Sequence, residues 1–82
     1  ISVFPNPVSQ QLFIDCKEHP LIADRNPGAC QLWDNNGMFI LEQNLADPLT
    51  TLNLSSLPEG IYILKLIRNQ TTIQTFKIIK SN

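Results

Sequence analysis

The 82-residue sequence predicts an all-β domain of seven short antiparallel strands, and three observations support this prediction. Apolar and β-branched runs recur with turn residues between them, roughly every 8–12 positions, which is typical of a sandwich or barrel. No segment keeps a 3.6-residue apolar period, so no helix is predicted. Gly, Pro and Asn stand between the runs, where the chain must turn. The predicted strands are residues 1–4, 11–16, 29–34, 38–43, 50–54, 60–68 and 71–80.

Alternation along each predicted strand indicates which side chains face the core. Leu12, Ile14 and Cys16 share one face of the second strand, and Cys30 and Leu32 share one face of the third. The sixth strand is apolar on both faces, which predicts either a central place in its sheet or a second face covered by something else. The inward residues expected on the sixth and seventh strands are Tyr62, Leu64, Leu66, Phe76 and Ile78.

Three turns carry residues that fit a chain reversal. Pro58 fixes its own φ and Gly60 can take a positive φ, so the chain turns there before the sixth strand. Residues 35–37, Asn-Asn-Gly, lie between two apolar strands and predict a hairpin. Residues 69–70 join the last two strands in a second tight hairpin.

Both ends of the chain and one internal segment are predicted to leave regular pairing. Pro5 and Pro7 lack backbone donors, so the first strand must end there or lie at an edge. Residues 17–28 contain two prolines, a glycine and mixed charges, and predict the longest loop. Lys80 has the parity of an inward residue and is expected to lie past the sheet.

Length and charge narrow the classes of function. Eighty-two residues allow one domain with a modest core, and no apolar run approaches the roughly 20 residues of a membrane-spanning helix. The net charge of −1 argues against a nucleic-acid partner. Residues 1–60 carry two basic and seven acidic side chains, whereas residues 61–82 carry four basic and no acidic ones. The basic end could meet an acidic receptor or anionic lipid, or its lysines could protect exposed strand edges.

The two cysteines occupy inward positions on consecutive strands, and two interpretations stay open. A Cys16–Cys30 disulfide would close a loop of about 15 residues and contribute about 3 kcal/mol. Alternatively, both are buried free thiols. Cys16 and His19 have a C-x-x-H spacing, but no fourth ligand is suitably placed, so no metal site is predicted. Because no nucleophile, base and orienting group converge, the domain is not expected to be an enzyme and needs no cofactor.

The aromatic residues are interpreted as core rather than as ligand-stacking groups. Trp33 and Tyr62 are both at strand positions, where aromatics usually pack inside. Tyr62 also follows the turn at Pro58, as the residue of a tyrosine corner does.

Four motifs occur in one order along the chain. They are FPNP at residues 4–7, WDNNG at residues 33–37, LSSLPEGIYILKLI at residues 54–67 and KIIK at residues 77–80. This order resembles the C-terminal sorting domain of cargo proteins of the type IX (Por) secretion system in Bacteroidota. The family pattern runs (Y/F)PNP, YD.NG, LS.LP.GIY.L.I and a terminal K.(I/V).K. The resemblance covers nearly the whole chain and implies an immunoglobulin-like β-sandwich.

The resemblance also implies a route and partners. The chain, residues 1–82, would be the C-terminal domain cut from a larger secreted precursor, whose upstream part holds the cargo and the export signal. From the periplasm it would reach the outer-membrane translocon with its shuttle components. A surface sortase would then remove it, leaving the cargo secreted or on the cell surface, attached to lipopolysaccharide.

Two sets of residues follow from this resemblance. Those expected to be recognised by the translocon are Gly60, Ile61, Tyr62, Lys77, Ile78, Ile79 and Lys80. Those expected to shape the fold are Pro5, Asn6, Pro7 and Gly37. The expected mechanism is pairing of an exposed edge strand with a receptor, and such an edge could also pair two copies of the chain.

The alternative function is a structural or adhesive β-sandwich module that binds a sugar or a neighbouring domain. Fold alone does not separate the two, since sandwiches host many functions. An adhesive module would present an aromatic platform, and Trp33, Phe13 and Phe39 are at scattered positions in the sequence.

Overall fold

The computed structural model describes residues 1–17, 28–45 and 47–82, which form two antiparallel sheets. One sheet has the order β1-β2-β5 and the other β4-β3-β6-β7. The strands are β1 (Ser2–Phe4), β2 (Gln11–Asp15), β3 (Ala29–Asp34), β4 (Phe39–Asn44), β5 (Leu49–Asn53), β6 (Gly60–Arg68) and β7 (Thr71–Lys80). The described ranges contain no helix, and thus none long and apolar enough to cross a membrane.

The predicted strands agree closely with the observed ones. The bounds of β3, β6 and β7 are those predicted, and the other four strands differ by one residue at one or both ends. These differences arise because a strand ends where its partner ends, as when Leu49 of β5 pairs with Asp15 of β2. The predicted loop at residues 17–28 and the position of His19 lie largely outside the described residues.

A single buried cluster takes side chains from both sheets, as strand alternation predicted. Its aliphatic members are each almost fully excluded from water: Val8, Leu12, Ile14, Leu32, Leu45, Leu52, Leu54, Leu64, Leu66 and Ile78. Burying one such side chain stabilises the fold by about 1.5–3 kcal/mol. The hydrophobic effect on these inward faces therefore holds the two sheets together.

Strand β6 is central in its sheet, between β3 and β7, as predicted. Lys80 corrects one expectation, because it does not lie past the sheet. It is the last residue of β7, pairs with Gly60 and is only 6% exposed. Its aliphatic stem follows the inward parity, while its Nζ donates a hydrogen bond to the Ser81 carbonyl oxygen at 2.9 Å.

The first strand ends where its prolines require. Strand β1 is at the edge of its sheet and stops at Phe4, directly before Pro5. The peptide bonds before Pro5 and before Pro7 are both cis. The chain then returns to the other sheet, where Val8 forms a parallel bridge with Lys80.

The turn between β3 and β4 is organised by Asp34. Its Oδ1 accepts hydrogen bonds from the backbone N–H groups of Asn36 at 2.8 Å and Met38 at 2.9 Å. Gly37 has a φ of 85°, which L side chains rarely adopt, and its N–H donates to the Asp34 carbonyl. The predicted hairpin is confirmed, and Asp34 supplies a side-chain contribution that the Asn-Asn-Gly signal did not include.

The β6–β7 hairpin has a two-residue loop, as predicted. Asn69 and Gln70 have φ values of 53° and 63°, and Arg68 pairs with Thr71 across the turn. Two consecutive positive φ values are those of a type I′ turn, which suits the twist of a hairpin. Asn tolerates this conformation well, whereas Gln does not.

Replacing Gln70 by Gly is expected to stabilise the domain by about 0.5–1 kcal/mol, because glycine adopts a positive φ without steric cost. The comparison variant is Gly37→Ala, which introduces a side chain at a positive φ instead of removing one. At Gly37 φ is 85°, and an added Cβ would meet nothing within 4 Å. That variant should lose about 1 kcal/mol through backbone strain alone. Urea unfolding of the three proteins measures both changes. A Gln70→Gly midpoint at or below that of the parent would contradict this account.

Candidate recognition surface

Strand pairing brings together the two segments predicted to be recognised. Strands β6 and β7 run antiparallel, so residues 60–62 lie opposite residues 78–80, with Ile61 facing Ile79. The GIY and KIIK motifs are thus neighbours in space. Sequence analysis placed all their residues in one set, but it did not indicate this contact.

The pleat of the sheet divides that set between two faces. Ile61 and Ile79 point away from the core and are 38% and 42% exposed, and Lys77 is also exposed. The side chains on the other face, which are buried, are Tyr62, Ile78 and Lys80. In the folded domain, Ile61, Lys77 and Ile79 are therefore the members whose side chains can reach a partner.

Tyr62 has a structural place, as its core interpretation predicted. The ring is 5% exposed, and its Oη donates a hydrogen bond to the Pro58 carbonyl oxygen at 2.7 Å. A buried hydroxyl needs such a partner. The bond ties the start of β6 to the turn that precedes it.

The core interpretation of Trp33 is wrong. Because Cys30 and Leu32 point inward, Trp33 points to the outer face of the four-stranded sheet. There it pairs with Phe39 of β4 on one side and with Ile63 of β6 on the other. The Trp33 and Phe39 rings meet edge to face, with their centroids 5.4 Å apart. These two aromatics, scattered in the sequence, are therefore adjacent in space.

Neighbouring side chains hold the Trp33 ring in place. The Nζ of Lys65 lies 4.7 Å from the ring centroid, a cation–π distance. The indole Nε1 donates to Gln31 Oε1 at 3.2 Å, and Gln31 Nε2 donates to Glu42 Oε1 at 2.7 Å. Strand parity and the register of the β3–β4 hairpin could have indicated the Trp33–Phe39 contact from the sequence, whereas the contact with Lys65 depends on β6 lying beside β3.

The outer face thus carries a continuous set of large apolar side chains, here called the outer-face patch and comprising Trp33, Phe39, Ile61, Ile63 and Ile79. Phe39 is 50% exposed, and Trp33 and Ile63 are half-buried. Lys77 pairs with Ile63 at the β7 side of the patch. The surface is therefore apolar at its centre with cationic side chains beside it.

The outer edge of β7 is partly closed by the N-terminal segment. The Asn6 side chain takes the place of a strand peptide: its Nδ2 donates to the Lys77 carbonyl and its Oδ1 accepts from the Ile79 N–H, both at 2.9 Å. The Val8 N–H donates to the Ile79 carbonyl at 2.8 Å, and the Ser81 N–H donates to the Val8 carbonyl at 2.7 Å. The FPNP and KIIK motifs are consequently joined by hydrogen bonds.

This contact limits the expected edge-strand mechanism. The Lys77 carbonyl, both backbone groups of Ile79 and the Ser81 N–H already have partners, so a receptor strand cannot pair with them while residues 6–8 stay in place. In the part of the chain that the structure describes, no strand pairs with the outer edge of β7. Edge pairing is thus left with residues 71–75. Asn6 lies between Pro5 and Pro7, and its contacts agree with the fold-shaping role expected for these three residues. That role stays a prediction.

The two cysteines lie in the core and belong to different sheets. Cys16 follows β2 and is 1% exposed, and Cys30 lies in β3 and is fully buried; both are free thiols. Burial raises the pKa of the Cys30 thiol to about 11 and also raises the pKa of Cys16. Both thiols are therefore protonated and poorly reactive at neutral pH. Their pairing in a disulfide stays a prediction.

Among the residues that the structure describes, no group of three or more His, Cys, Asp or Glu side chains is placed to hold a metal ion. His19 lies outside the described residues.

In the reduced, native domain, iodoacetamide is expected to leave Cys16 and Cys30 unmodified at neutral pH, because each is buried and its thiol pKa is raised. Intact-mass measurement before and after unfolding in urea checks this. Labelling of the native protein at the rate of the unfolded one would contradict it. An unreduced sample that unfolds without being labelled would instead support the disulfide.

Asn6→Ala is expected to destabilise the domain by about 0.5–1 kcal/mol, since two exposed hydrogen bonds to β7 are lost. The matched variant is Asn6→Asp, which keeps the acceptor for the Ile79 N–H and loses the donor to the Lys77 carbonyl. Amide hydrogen exchange separates the two variants. The Ile79 amide should lose protection in Asn6→Ala and keep it in Asn6→Asp. Equal protection of that amide in the parent and in Asn6→Ala would contradict the role of Asn6 in closing the edge of β7.

Comparison with known families agrees with the geometry and motifs. The sequence model of the family described as secretion system C-terminal sorting domain matches residues 2–81, nearly the whole chain. No curated protein matches the chain. The matched range contains all four motifs and the contacts that join the first of them to the last. The chain therefore belongs to the secretion system C-terminal sorting domains, the domains that serve as the sorting signal of type IX secretion.

Proposed function

We propose that this sorting domain is recognised in its folded form, at the surface built by β6 and β7, and that it directs an upstream cargo through the outer-membrane translocon. The observation that carries the proposal is the register that places Ile61 beside Ile79. This pairing exists only when the domain is folded. The residues proposed to contact the translocon are Ile61, Lys77 and Ile79, with the backbone at Gly60.

The other members of the expected recognition set support the surface from beneath. Tyr62, Ile78 and Lys80 fix the positions of β6 and β7 from the core side. Successive residues of a strand point to opposite faces. Each of these short motifs therefore contains an exposed side chain proposed for recognition and a buried side chain that supports it.

We further infer an immunoglobulin-like topology. The sheet orders β1-β2-β5 and β4-β3-β6-β7 correspond to strands A-B-E and C′-C-F-G of that architecture. Tyr62, near the start of β6, occupies the place of the tyrosine corner, and its hydrogen bond to the Pro58 carbonyl supports the assignment.

The finer steps of the route are proposed from family membership. The domain would be the C-terminal part of a larger precursor, engage shuttle components, and be removed at the surface by a sortase. The cargo would then be secreted or held at the cell surface. The family is not an enzyme family, and no catalytic role is proposed for the domain. An adhesive role has no support from the family comparison and is not proposed.

Export of a reporter tests the function directly. Residues 1–82 are fused behind a signal peptide and a fluorescent passenger, in a host with a working type IX system, beside a version lacking residues 76–82. The full version is expected to leave the periplasm, whereas the shortened one should stay there because it lacks the whole terminal motif. Fluorescence is measured in periplasm, on the cell surface and in the medium.

The control for this experiment is the same host with its translocon inactivated, where both versions should remain in the periplasm. If the full version stays inside a host that exports its own cargo, the proposed function is wrong for this domain. Export of both versions to the same extent would show that the terminal strand is not required.

A further inference from the structure

We propose that the outer-face patch is a docking surface for a protein partner in the secretion machinery, and that this partner presents an apolar surface with carboxylates opposite Lys65 and Lys77. The inference rests on the proposed function. It adds which face of the domain binds, extends the surface to Trp33 and Phe39, and states the chemistry of the partner.

Contact through the face follows from the closure of the edge. Asn6 and Val8 bind the Lys77 carbonyl, both backbone groups of Ile79 and the Ser81 N–H, so this end of the strand meets a partner mainly through its side chains. Those pointing outward are Lys77 and Ile79. A partner that recognises the terminal motif of the folded domain through these side chains must therefore approach the outer face of the four-stranded sheet.

The composition of that face is unusual for one left in water. The solvated face of an antiparallel sheet is normally polar, because exposed apolar area there gives no stability. Here Phe39, Ile61 and Ile79 are between 38% and 50% exposed, and they adjoin Trp33 and Ile63. Contiguous exposed apolar side chains of this kind mark interaction sites.

The β4 side of the patch is pre-organised for binding. Trp33 is held by the Lys65 ammonium, by the edge of the Phe39 ring and by its hydrogen bond to Gln31. A side chain fixed before binding loses little rotamer entropy when a partner arrives. Trp is also among the residues that most often dominate the binding energy of an interface.

The charged side chains beside the patch indicate the chemistry of a complementary partner surface. Strands β6 and β7 contain four basic side chains and no acidic one, and Lys65 and Lys77 lie on the outer face beside the apolar residues. Glu42 lies on the same face, but its carboxylate accepts a hydrogen bond from Gln31 at the β4 edge. Carboxylates on the partner would thus meet cations at the β7 side of the patch.

The same arrangement disfavours two other occupants. A second copy docked through the same patch would bring like-charged lysines together, which opposes association. An anionic membrane would gain only about 1 kcal/mol from each lysine near its surface, and two lysines are fewer than stable lipid binding needs. An acidic and apolar protein surface is the occupant that satisfies both features.

Binding is tested with the 82-residue chain and, as the probe, type IX translocon purified from the host in detergent. The first variant, Ile61→Thr with Ile79→Thr, removes apolar area and keeps β-branching, so the strands are preserved. Its matched control is Leu49→Thr on the opposite sheet, where Leu49 is 51% exposed. The second variant is Lys77→Glu, and its matched control is Lys17→Glu, at an exposed lysine outside the patch.

Both patch variants are expected to weaken binding by about tenfold or more, while the two controls stay within about twofold of the parent. Sodium chloride should weaken parent binding more than Lys77→Glu binding, since one attractive charge is already gone. Urea midpoints of all variants confirm that they remain folded.

Three results would overturn the inference. The first is parent-like binding by both patch variants. The second is sedimentation of the parent with phosphatidylglycerol vesicles that Lys77→Glu abolishes, which would assign the patch to lipid. The third is a parent dimer in sedimentation velocity that Ile61→Thr with Ile79→Thr dissociates, which would assign it to self-association.

Export of the reporter distinguishes failure of the docking inference from failure of the proposed function. If the parent and the patch variants are exported equally, the sorting role stands and the docking face is wrong. If the parent is not exported, the proposed function and the inference fall together.

Discussion

The antiparallel ladder between β6 and β7 is the constraint on which the rest of this structure depends. Its nine pairs bring the GIY segment beside the end of the chain and fix Ile61 opposite Ile79. Because a strand alternates faces, the register also decides that Tyr62 and Ile78 enter the core. A shift of one residue would reverse both assignments and expose the core face. The surface offered to a partner and the stability of the domain thus follow from the same pairing.

The N-terminal segment completes the sheet without adding a full strand to it. Prolines cannot donate ladder hydrogen bonds, so the FPNP segment pairs through the Asn6 side chain and through the backbone of Val8. The result protects the most C-terminal part of an edge strand, where unpaired backbone would invite association with other chains. The fold therefore closes the edge at residues 77–81 and leaves the adjacent apolar face exposed. The proposed recognition by side chains follows from that division.

The hydrophobic core does not account for the composition of the exposed face, because the side chains of that face point away from it. If the fold were the only requirement, polar residues could stand at the exposed positions of Phe39, Ile61 and Ile79 with little loss of stability. Cys16 and Cys30 differ in this respect, since both side chains are buried at core positions. Burial also holds the pKa of Cys30 at about 11, which keeps its thiol neutral at physiological pH.

The sequence by itself determined the seven strands, the turns at Gly37 and residues 69–70, and the inward faces of β2, β3 and β6, because these depend on local periodicity and on residues with special φ preferences. Only the tertiary structure decided that Trp33 meets Lys65, that Asn6 binds the backbone of β7, and that Lys80 is buried. Each of these contacts joins positions whose neighbours are set by strand order and register. Periodicity along one strand carries no information about which strand lies beside it, and so the face, the edge closure and their relation became visible only in three dimensions.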